Sequence, residues 1–472
     1  MPSLEPAFRP ASFAIVGASS DVDAQVNRNF VRPLLEFGFK GRIYPVNPHL
    51  TEVLGLRVYS SILEIPEPVD YVVCAIPAPL TPKLMEDCAT SGAKVVSLYS
   101  AGFSETGDEE GSALESALVE RARRGSVRVI GPNCLGIHCP ASGITFESKA
   151  DRQSGHVSFL SQSGGNARDL ILVGASRGIR FHQGVSYGNA ADLNEADFLD
   201  HFAEDADTEV VGAYIEGLKE PRRFFKSLKQ AAEAKPVVVL KGGRTSAGAR
   251  AVGSHTGALA GSRQVWDTLC RQAGAIQVRS LEEMTDALLA FSCARPPRGR
   301  RVGIVGIGGG ASVQAADDCE DVGLTAPGFP LELRQELRKF TPAAGVGLGN
   351  PIDTAANVYW DPASFARTVE LVAYHDEVDN VVVAMPTVYA ATRAVVMSRQ
   401  QIEAIGEVYA RIDKPFAVVL RTAGLIEAEE LASGLSEQCR KAGLPVYPSV
   451  QRAARAMSHV LAYQQNHAAR LG

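Results

Sequence analysis

His255 lies inside residues 253–262 (GSHTGALAGS), where almost every neighbour is small. Glycines, serines and alanines leave the imidazole ring open to a large anion, and the nearby hydroxyl and amide groups can hold that anion. A histidine in this setting is able to accept a phosphoryl group. The same run also fits a Gly-rich surface loop that carries a solvated histidine, because short motifs often match by chance. The rest of the chain decides between the two interpretations.

Glu216 is the first candidate to assist His255. It follows the apolar run 210–215, which predicts a strand, so its carboxylate lies at a strand end. A carboxylate that accepts the N–H of one ring nitrogen leaves the other nitrogen unprotonated and nucleophilic, as phosphoryl acceptance requires. The alternative is a solvated glutamate at a strand terminus.

A second turn offers amide groups to an anion. Ser163, Gly164 and Gly165 belong to residues 161–166 (SQSGGN), which separate a predicted strand from a helix predicted over 167–173. Free amides at a helix N-terminus bind anions, with a contribution of about 0.3–1 kcal/mol. The alternative is that Ser163 serves only as the N-cap of that helix.

Short apolar, β-branched runs alternate with amphipathic segments along the chain, which is the pattern of repeated β/α units. The helix predicted over 113–124 is acidic at its start and basic at its end, as the helix macrodipole favours. The strands predicted for the first two blocks are 11–17, 70–76, 93–98 and 127–130, then 156–160, 180–185, 210–215, 236–240 and 275–278.

A third block, which starts at residue 301 after the linker-like stretch 295–300, resembles the second. Three pairs of segments match in the same order, namely 157–165 with 302–310, 235–240 with 414–420, and 272–276 with 441–445. One such match could arise by chance, whereas three favour an internal repeat. We therefore predict an α/β protein with a Rossmann-like domain (1–145) followed by two flavodoxin-like domains (146–296 and 297–472).

Loops rich in glycine, proline and hydroxyl residues follow the strands of the first domain. They cover residues 17–20, 44–48, 76–78, 100–103 and 131–133. The carboxyl ends of parallel strands meet at one edge of a sheet, where ligands bind. The first loop is not a GxGxxG motif, and these residue types also form ordinary turns. Five such loops at one edge nevertheless favour a ligand site.

The composition excludes several classes of function. The chain has 472 residues, 46% of them hydrophobic and 21% charged, as in a soluble protein with about three domains. A net charge of −6 argues against a nucleic-acid partner. Residues 1–10 do not resemble a signal peptide, and no apolar run reaches membrane-spanning length. Eight cysteines lack metal-ligand spacing. We expect a cytoplasmic protein with reduced thiols, no metal site and no membrane partner.

Assembled, these segments resemble the α subunit of NDP-forming (ADP-forming) acyl-CoA synthetases, which are relatives of succinyl-CoA synthetase. The resemblance extends from residues 15–19 to about residue 462. The segments that carry it are GRIYPVNP (41–48), AGFSETG (101–107), GPNCLG (131–136), SQSGG (161–165), YIEG (214–217), SHTGALAGS (254–262) and NPID (350–353).

The resemblance implies that the first domain binds CoA and that His255 is phosphorylated transiently. Glu216 would orient His255, and Ser163, Gly164 and Gly165 would bind the phosphate. The implied reaction converts a carboxylic acid, CoA and ATP to acyl-CoA, ADP and phosphate through an acyl phosphate, because an unactivated carboxylate is a poor electrophile. The implied CoA contacts are Gly17, Ser19, Asn47, Pro48, Pro77, Ser100, Gly102, Phe103 and Asn133.

Two segments depart from the family pattern. Residues 305–310 (VGIGGG) stand where the family has an Asn-Ala-Gly-Gly type of turn. The SQSGG segment continues with Asn166, Ala167 and Arg168 rather than with small apolar residues. Arg168, one turn into the predicted helix, is placed to meet a substrate carboxylate or a phosphate.

The chain also lacks a G-x-x-x-x-G-K-[ST] loop, and the three predicted domains occupy its whole length. We therefore expect an ATP-grasp β subunit to bind ATP and Mg²⁺, with a small carboxylic acid as substrate. The expected assembly is αβ or α2β2, or an α2 dimer of this chain. Two alternatives stay open: CoA-dependent acyl or carbamoyl transfer, and an inactive CoA-sensing regulatory module. The presence of both His255 and Glu216 disfavours the regulatory module.

Overall fold

The computed structural model describes residues 4–19, 30–256, 263–306, 308–341, 347–353, 361–385 and 387–471. Side chains are described throughout these ranges except at 253–256, 392–393 and 469–471. The chain divides into two compact units, Met1–Met284 and Thr285–Gly472. Below they are called the first and the second unit.

The first sheet contains five parallel strands in the order β2-β1-β5-β6-β7. Every residue of β1 is buried, as expected for a strand that is covered on both faces. In chain order the elements are α1 (Glu5–Phe8), β1 (Ser12–Val16), α2 (Val31–Phe37), β2 (Arg42–Val46), β3 (Glu52–Val53), β4 (Leu56–Arg57), β5 (Tyr71–Cys74), α3 (Thr81–Thr90), β6 (Val95–Leu98), α4 (Glu109–Arg124) and β7 (Arg128–Ile130). Strands β3 and β4 form a small antiparallel hairpin.

Helix α4 shows how local sequence sets the end of an element. The Asp108 carboxylate accepts a hydrogen bond from the Gly111 amide at 2.7 Å, which caps the helix N-terminus. Glu109 and Glu110 occupy the first turn, and three arginines occupy the last. The predicted helix is confirmed, but it starts at Glu109 rather than at residue 113 because its cap lies at Asp108.

The second sheet contains six strands in the order β13-β12-β11-β9-β10-β8, of which only β8 is antiparallel to its neighbour. Its elements are β8 (Gly136–His138), β9 (Val157–Ser161), α5 (Gly164–Ser176), β10 (Phe181–Ser186), α6 (Glu195–Glu204), β11 (Val210–Ile215), α7 (Pro221–Ala234), β12 (Val237–Lys241), α8 (Ser246–Thr256), α9 (Arg263–Ala273), β13 (Ile276–Val278) and α10 (Leu281–Ser292). Strand β8 was not predicted from the sequence. It joins this sheet although it lies within residues 1–145, the predicted first domain.

The second unit contains a four-stranded parallel sheet in the order β14-β15-β16-β17. Its elements are β14 (Val302–Val305), α11 (Gly309–Glu320), α12 (Leu331–Arg338), α13 (Pro362–Tyr374), β15 (Asn380–Met385), α14 (Thr387–Arg393), α15 (Val395–Arg411), β16 (Phe416–Leu420), α16 (Ile426–Lys441), β17 (Val446–Tyr447) and α17 (Val450–Leu471). Asn350 of the NPID segment lies beside β14, where its side chain accepts from the Ile304 amide at 3.0 Å and donates to the Val302 carbonyl at 2.7 Å.

The second and third sheets share one succession of strands. The order β9-β11-β12-β13 in the second sheet matches β14-β15-β16-β17 in the third, and all of these pairs are parallel. This agreement supports the predicted internal repeat. The domain limits 1–145, 146–296 and 297–472 stay predictions. Within the described residues, we find no helix with the length and apolar content needed to cross a membrane.

Candidate active site

A cleft of about 640 Å³ opens at the carboxyl edge of the first sheet. It is lined by six of the predicted ligand residues, which are Pro77, Ser100, Asn133, Ser163, Gly164 and Gly165. The first three follow β5, β6 and β7, and the last three lie between β9 and α5. Three of the five predicted strand-end loops and the predicted phosphate turn therefore share one cavity within the first unit.

Hydrogen bonds tie the strand-end loops to one another. The Ser100 hydroxyl donates to the Ile76 carbonyl, and the Asn133 amide donates to the Ser100 carbonyl at 3.0 Å. Cys134 follows in the same wall of the cleft. Burial raises the pKa of its thiol to about 11, so this thiol is protonated at neutral pH and is a poor nucleophile.

Gly17 ends β1 at a point where two strands approach closely. Its φ is +90°, and a Cβ built there would lie 2.8 Å from the Ala75 carbonyl oxygen. Its amide donates to the Val46 carbonyl at 3.0 Å. Both the left-handed backbone and the lack of space require glycine, so the sequence places this turn correctly at the sheet edge.

The remaining predicted CoA contacts near β1 and β2 lie outside the residues that line the cleft. The Asn47 Nδ2 donates to the Ala18 carbonyl at 2.8 Å, and its Oδ1 accepts from the His49 amide at 2.8 Å. Asn47 therefore ties its own loop to the loop that follows β1. Ser19 is half-buried, and Pro48 is exposed.

Gly102 and Phe103 direct their amides at a carboxylate of the protein itself. Both donate to Glu105 Oε1, at 2.6 and 3.2 Å. The Phe103 side chain is fully buried in the core and does not line the cleft. Burial favours a higher pKa for Glu105, but hydrogen bonds from Asn189 and from these amides outweigh it and hold the pKa below its ordinary value. Glu105 is therefore ionised at neutral pH.

Asn189, in the loop after β10, connects the second sheet to the loops of the first. Its side chain is buried, and Nδ2 donates to Glu105 Oε2 at 2.5 Å and to Glu115 Oε2 at 3.0 Å. Its amide donates to the Pro132 carbonyl at 3.0 Å. Asn189 also borders the cleft. This loop thus fixes the second sheet, which carries the phosphate turn 163–165, against the strand-end loops of the first sheet.

Ser163 is the N-cap of α5 and also lines the cleft. Its Oγ accepts from the Asn166 amide at 3.3 Å, and the Ser161 hydroxyl donates to its carbonyl at 2.7 Å. The first amides of a helix have no carbonyl partner within that helix. A Cβ at Gly165 would have only the Ser163 hydroxyl within 4 Å, so the turn is open on that side. It can receive an anion.

Glu216 is buried at the end of β11, with 5% of its surface exposed. The Tyr214 hydroxyl donates to Glu216 Oε1 at 3.0 Å. The Gln162 Oε1 accepts from the amides of Glu216 and Gly217, the second at 2.9 Å. Burial and the adjacent carboxylate raise the pKa of Tyr214, so its hydroxyl stays protonated. Gln162 therefore ties the phosphate turn to the loop that carries Glu216.

His255 lies in the last turn of α8, and its side chain is outside the described residues. The segment up to Thr256 is thus helical rather than a loop. Helix α8 packs against residues Ser104–Thr106 of the AGFSETG segment. The helix that carries His255 is therefore a neighbour of the loop that Glu105 and Asn189 hold in place. The predicted contact of His255 with Glu216 stays a prediction.

Two other histidines, His138 and His201, have structural surroundings. Burial lowers the pKa of His138 to about 3 and the pKa of His201 to about 4, so both rings are neutral at neutral pH. The His138 Nδ1 lies 3.0 Å from the Thr145 hydroxyl. The His201 ring stacks on Phe8 with 4.9 Å between the centroids.

One group of described residues has the composition of a cation site. Ligand atoms of His182, Asp205 and Asp207 lie within 4.8 Å of one another. The Thr208 hydroxyl already donates to Asp205 Oδ2 at 2.5 Å, and Arg9 lies 3.8 Å from Asp207. The protein itself therefore already balances these carboxylates.

The two departures from the family pattern have local partners. Arg168 is half exposed and forms an ion pair with the buried Glu147. Gly306 has a φ of +99°, and α11 starts at Gly309. In the second unit, a cavity of about 870 Å³ lies at the carboxyl ends of the strands and includes Gly306 and Arg421. Its lining combines apolar walls with one cationic and one acidic side chain, those of Arg421 and Asp318.

Four polar side chains of this region were not predicted from the sequence, namely Gln162, Asn189, Glu105 and Lys241. Gln162 and Glu105 lie inside motifs and Asn189 does not, but the contacts of Gln162 with Glu216 and of Asn189 with Glu105 join segments that are far apart in the chain. Lys241 is the last residue of the buried strand β12 and is only 5% exposed. A lysine at the end of an otherwise apolar run is the one signal that the sequence gives for it.

Three family models match successive parts of the chain. They are a CoA binding domain over residues 11–140, a succinyl-CoA ligase like flavodoxin domain over 154–291 and a Ligase-CoA domain over 302–468. Together with the parallel sheets, they confirm the predicted fold class.

Two relatives and one solved structure are similar to this chain over most of its length. The acetate–CoA ligase [ADP-forming] I subunit alpha of Pyrococcus furiosus is 35% identical over 463 residues, which are 97% of this chain and 96% of that protein. The acetate–CoA ligase [ADP-forming] I of Archaeoglobus fulgidus is 37% identical over 380 residues, 80% of this chain but 54% of that protein. The dinucleotide-forming acetyl-coenzyme A synthetase 1 of Ca. Korarchaeum cryptofilum, in complex with phosphate and ADP, has a TM-score of 0.84 at 32% identity, with 99% of this chain and 98% of that chain covered.

A CoA-binding domain followed by two domains of the succinyl-CoA ligase type defines the class of acid–thiol ligases. The resemblance found in the motifs is confirmed. The chain belongs to the family of α subunits of ADP-forming acetate–CoA ligases.

Proposed function

We propose that this chain is the CoA-binding catalytic subunit of an ADP-forming acyl-CoA ligase. The supporting observation is the cleft in which the loops after β5, β6 and β7 face the phosphate turn 163–165. Thioester formation requires the CoA thiol and an activated acyl group in the same place. A cavity with a ligand-binding sheet edge on one side and an anion-binding turn on the other meets this requirement.

The proposed reaction has three steps. His255 takes the γ-phosphoryl group of ATP, and ADP leaves. A carboxylate oxygen of the acid then attacks phosphorus, the N–P bond breaks, and an acyl phosphate forms with the free imidazole. The CoA sulfur attacks the acyl carbon, its proton is lost to solvent, and phosphate leaves. The last two steps, formation of the acyl phosphate and attack by CoA, thus replace one direct displacement at an unactivated carboxylate.

The residues of the chain have distinct parts in this scheme. The amides of the turn 163–165 hold the phosphoryl oxygens, and Glu216, fixed by Tyr214 and Gln162, accepts the ring N–H of His255. The neutral Cys134 thiol in the cleft wall does not compete with CoA for the acyl phosphate. Of the predicted CoA contacts, Pro77, Ser100 and Asn133 line the cleft. The others stay predictions, namely Gly17, Ser19, Asn47, Pro48, Gly102 and Phe103.

An ATP-grasp β subunit completes the enzyme in this proposal and binds ATP and Mg²⁺. The Pyrococcus relative of matching length is named a subunit alpha, whereas this chain covers 54% of the Archaeoglobus relative, whose name mentions no subunit. The difference in length supports a second chain that supplies the remaining part. We place the assembly, as αβ or α2β2, in the cytoplasm, where eight free cysteines stay reduced.

The acid substrate is a small carboxylic acid, and acetate is the first candidate because the Pyrococcus relative is named for it. The test incubates the chain with γ-labelled ATP, Mg²⁺ and each ATP-grasp protein encoded in the same genome. A second arm replaces ATP with labelled phosphate and acetyl-CoA, which would load His255 by the reverse of the last two steps. We expect acid-labile, base-stable label on this chain in both arms.

His255→Ala is expected to abolish the label, whereas His156→Ala, which removes an exposed histidine, serves as the matched control and keeps it. A complete lack of label with every partner and in the acetyl-CoA arm would overturn the ligase proposal. Equal labelling of His255→Ala would overturn the assignment of the phosphocarrier. Calorimetry with CoA tests the first domain separately, and a lack of CoA-dependent heat would remove its assignment.

A further inference from the structure

Lys241 places a buried positive charge beside the backbone of Glu216. Its Nζ donates to the Glu216 carbonyl at 2.6 Å and also to the Gly242 carbonyl. The Nζ lies 5.6 Å from the centroid of the Trp266 ring. A buried ammonium is costly unless hydrogen bonds and an opposite charge compensate for it. The negative charge that acts on Lys241 is that of Glu216, and it indicates the role of the lysine.

The sheet register brings Lys241 and Glu216 together. In the parallel pair β11 and β12, Ile215 lies opposite Lys241, so Glu216 is the next residue along the neighbouring strand. Burial lowers the pKa of Lys241, and the negative charge of Glu216 acts against that change. A Cβ at Gly242 would lie 3.2 Å from the Glu216 Cγ, which shows how closely the two strand ends approach.

We propose that Lys241 is a positioning residue for Glu216. Its ammonium group holds the Glu216 backbone in place and supplies the positive charge that balances the carboxylate when a dianionic phosphoryl group is on His255. This role rests on the proposed function, because it has a purpose only if His255 is phosphorylated. The residue acts through Glu216 and need not touch the substrate.

Lys235 serves as the comparison residue, because it stabilises the sheet without contacting Glu216. It lies just before the opposite end of β12, and its Nζ also donates to two backbone carbonyls, those of Asp205 and Thr208, both at 2.7 Å. Burial lowers its pKa as well, and the charge of Asp205 opposes that change. Lys235 thus makes the same kind of bonds at the edge of the sheet away from Glu216.

The experiment compares Lys241→Gln with Lys235→Gln in the full chain, labelled with phosphate and acetyl-CoA or with ATP and the partner subunit. Glutamine keeps N–H donors but has no charge. We expect both variants to bind CoA as wild type does, and only Lys241→Gln to lose tenfold or more in the rate of His255 labelling. Labelling of Lys241→Gln within twofold of Lys235→Gln would overturn the role of Lys241. A lack of label on wild-type protein would instead refute the proposed function.

A double-mutant cycle keeps the inference testable should Lys241→Gln fold poorly. Removing both charges in Glu216→Gln/Lys241→Gln leaves no uncompensated buried ion, so the double variant is expected to be more stable than the two single changes predict. The excess should be about fivefold or more in the unfolding equilibrium constant. Glu216→Gln/Lys235→Gln is the matched cycle and should be additive. Additivity in the Lys241 cycle would contradict a charge partnership with Glu216.

Discussion

Glu195 begins helix α6 with its carboxyl group fully buried, and neither oxygen meets a hydrogen-bond donor among the described residues. Burial raises its pKa to about 7, and the nearby Asp197 and Glu220 carboxylates add to this effect. The folded protein therefore holds the Glu195 proton more tightly than the unfolded chain does. This buried acid makes stability depend on pH in a way that can be calculated.

The sign follows from proton binding. Because the pKa is higher in the folded state, the contribution of Glu195 to the free energy of unfolding is largest below pH 4.5, falls between pH 4.5 and pH 7, and is constant above that. At 1.36 kcal/mol per pH unit, the rise from 4.5 to about 7 corresponds to a loss of about 3 kcal/mol. Glu195→Gln has no proton to lose and should not show this fall.

Urea unfolding between pH 4.5 and pH 8 measures the effect. In a Trp360→Phe background, the fluorescence of Trp266, which stacks on Phe224 in the first unit, reports on the transition of that unit. The difference in unfolding free energy between Glu195→Gln and wild type should change by about 3 kcal/mol across this range. Glu209→Gln, which removes a largely exposed carboxylate, is the control. Parallel curves for wild type and Glu195→Gln would refute the reasoning.

Three further predictions concern the proposed site. Asn189→Ala removes two hydrogen bonds to carboxylates and should lower the free energy of unfolding of the first unit by about 3 kcal/mol in urea titrations; a loss below about 1 kcal/mol would contradict its linking role. Gly17→Ala should destabilise more than Gly38→Ala, because both have left-handed backbones but only the first would meet an atom within 4 Å; equal losses in urea would show that the close approach is unimportant. Cys134 should resist iodoacetamide at pH 8 because burial raises its thiol pKa to about 11, so mass spectrometry should find the more exposed Cys293 modified first.

The elements that the sequence predicted well are those whose pattern is local. Strand β11 has the predicted limits Val210–Ile215, since a short apolar run between polar residues is typical of a buried strand in a chain of repeated β/α units. Gly17 and the turn 163–165 also lie where their residue types require, because a left-handed backbone or a helix cap depends on a few neighbouring residues. Strand β15 was not predicted, although its buried apolar run has the same character as that of β11.

The polar contacts of the site depend on strand order, which local patterns do not contain. Gln162 meets the Glu216 amide only because β9 and β11 are neighbours in the sheet, although α5, β10 and α6 lie between them in the chain. Lys241 reaches the Glu216 carbonyl only through the register of β11 with β12. A motif search identifies the residue that does chemistry, whereas the residues that hold it become visible only when the sheet is assembled.

Two of the residues that hold the site together, Gln162 and Asn189, have neutral side chains, and this neutrality bears on the proposed mechanism. Gln162 and Asn189 are buried amides, and each joins loops that belong to different strands: Gln162 accepts two backbone amides, and Asn189 donates to two carboxylates. A neutral amide can do this without adding charge beside a turn that receives a phosphoryl dianion in the proposed mechanism. Lysine or arginine at either position would compete with the turn for the phosphate, and a carboxylate would repel it. In that mechanism the amides of residues 163–165 hold the anion, while the charge of Lys241 balances the Glu216 carboxylate, and the Lys241 variants test the second of these roles.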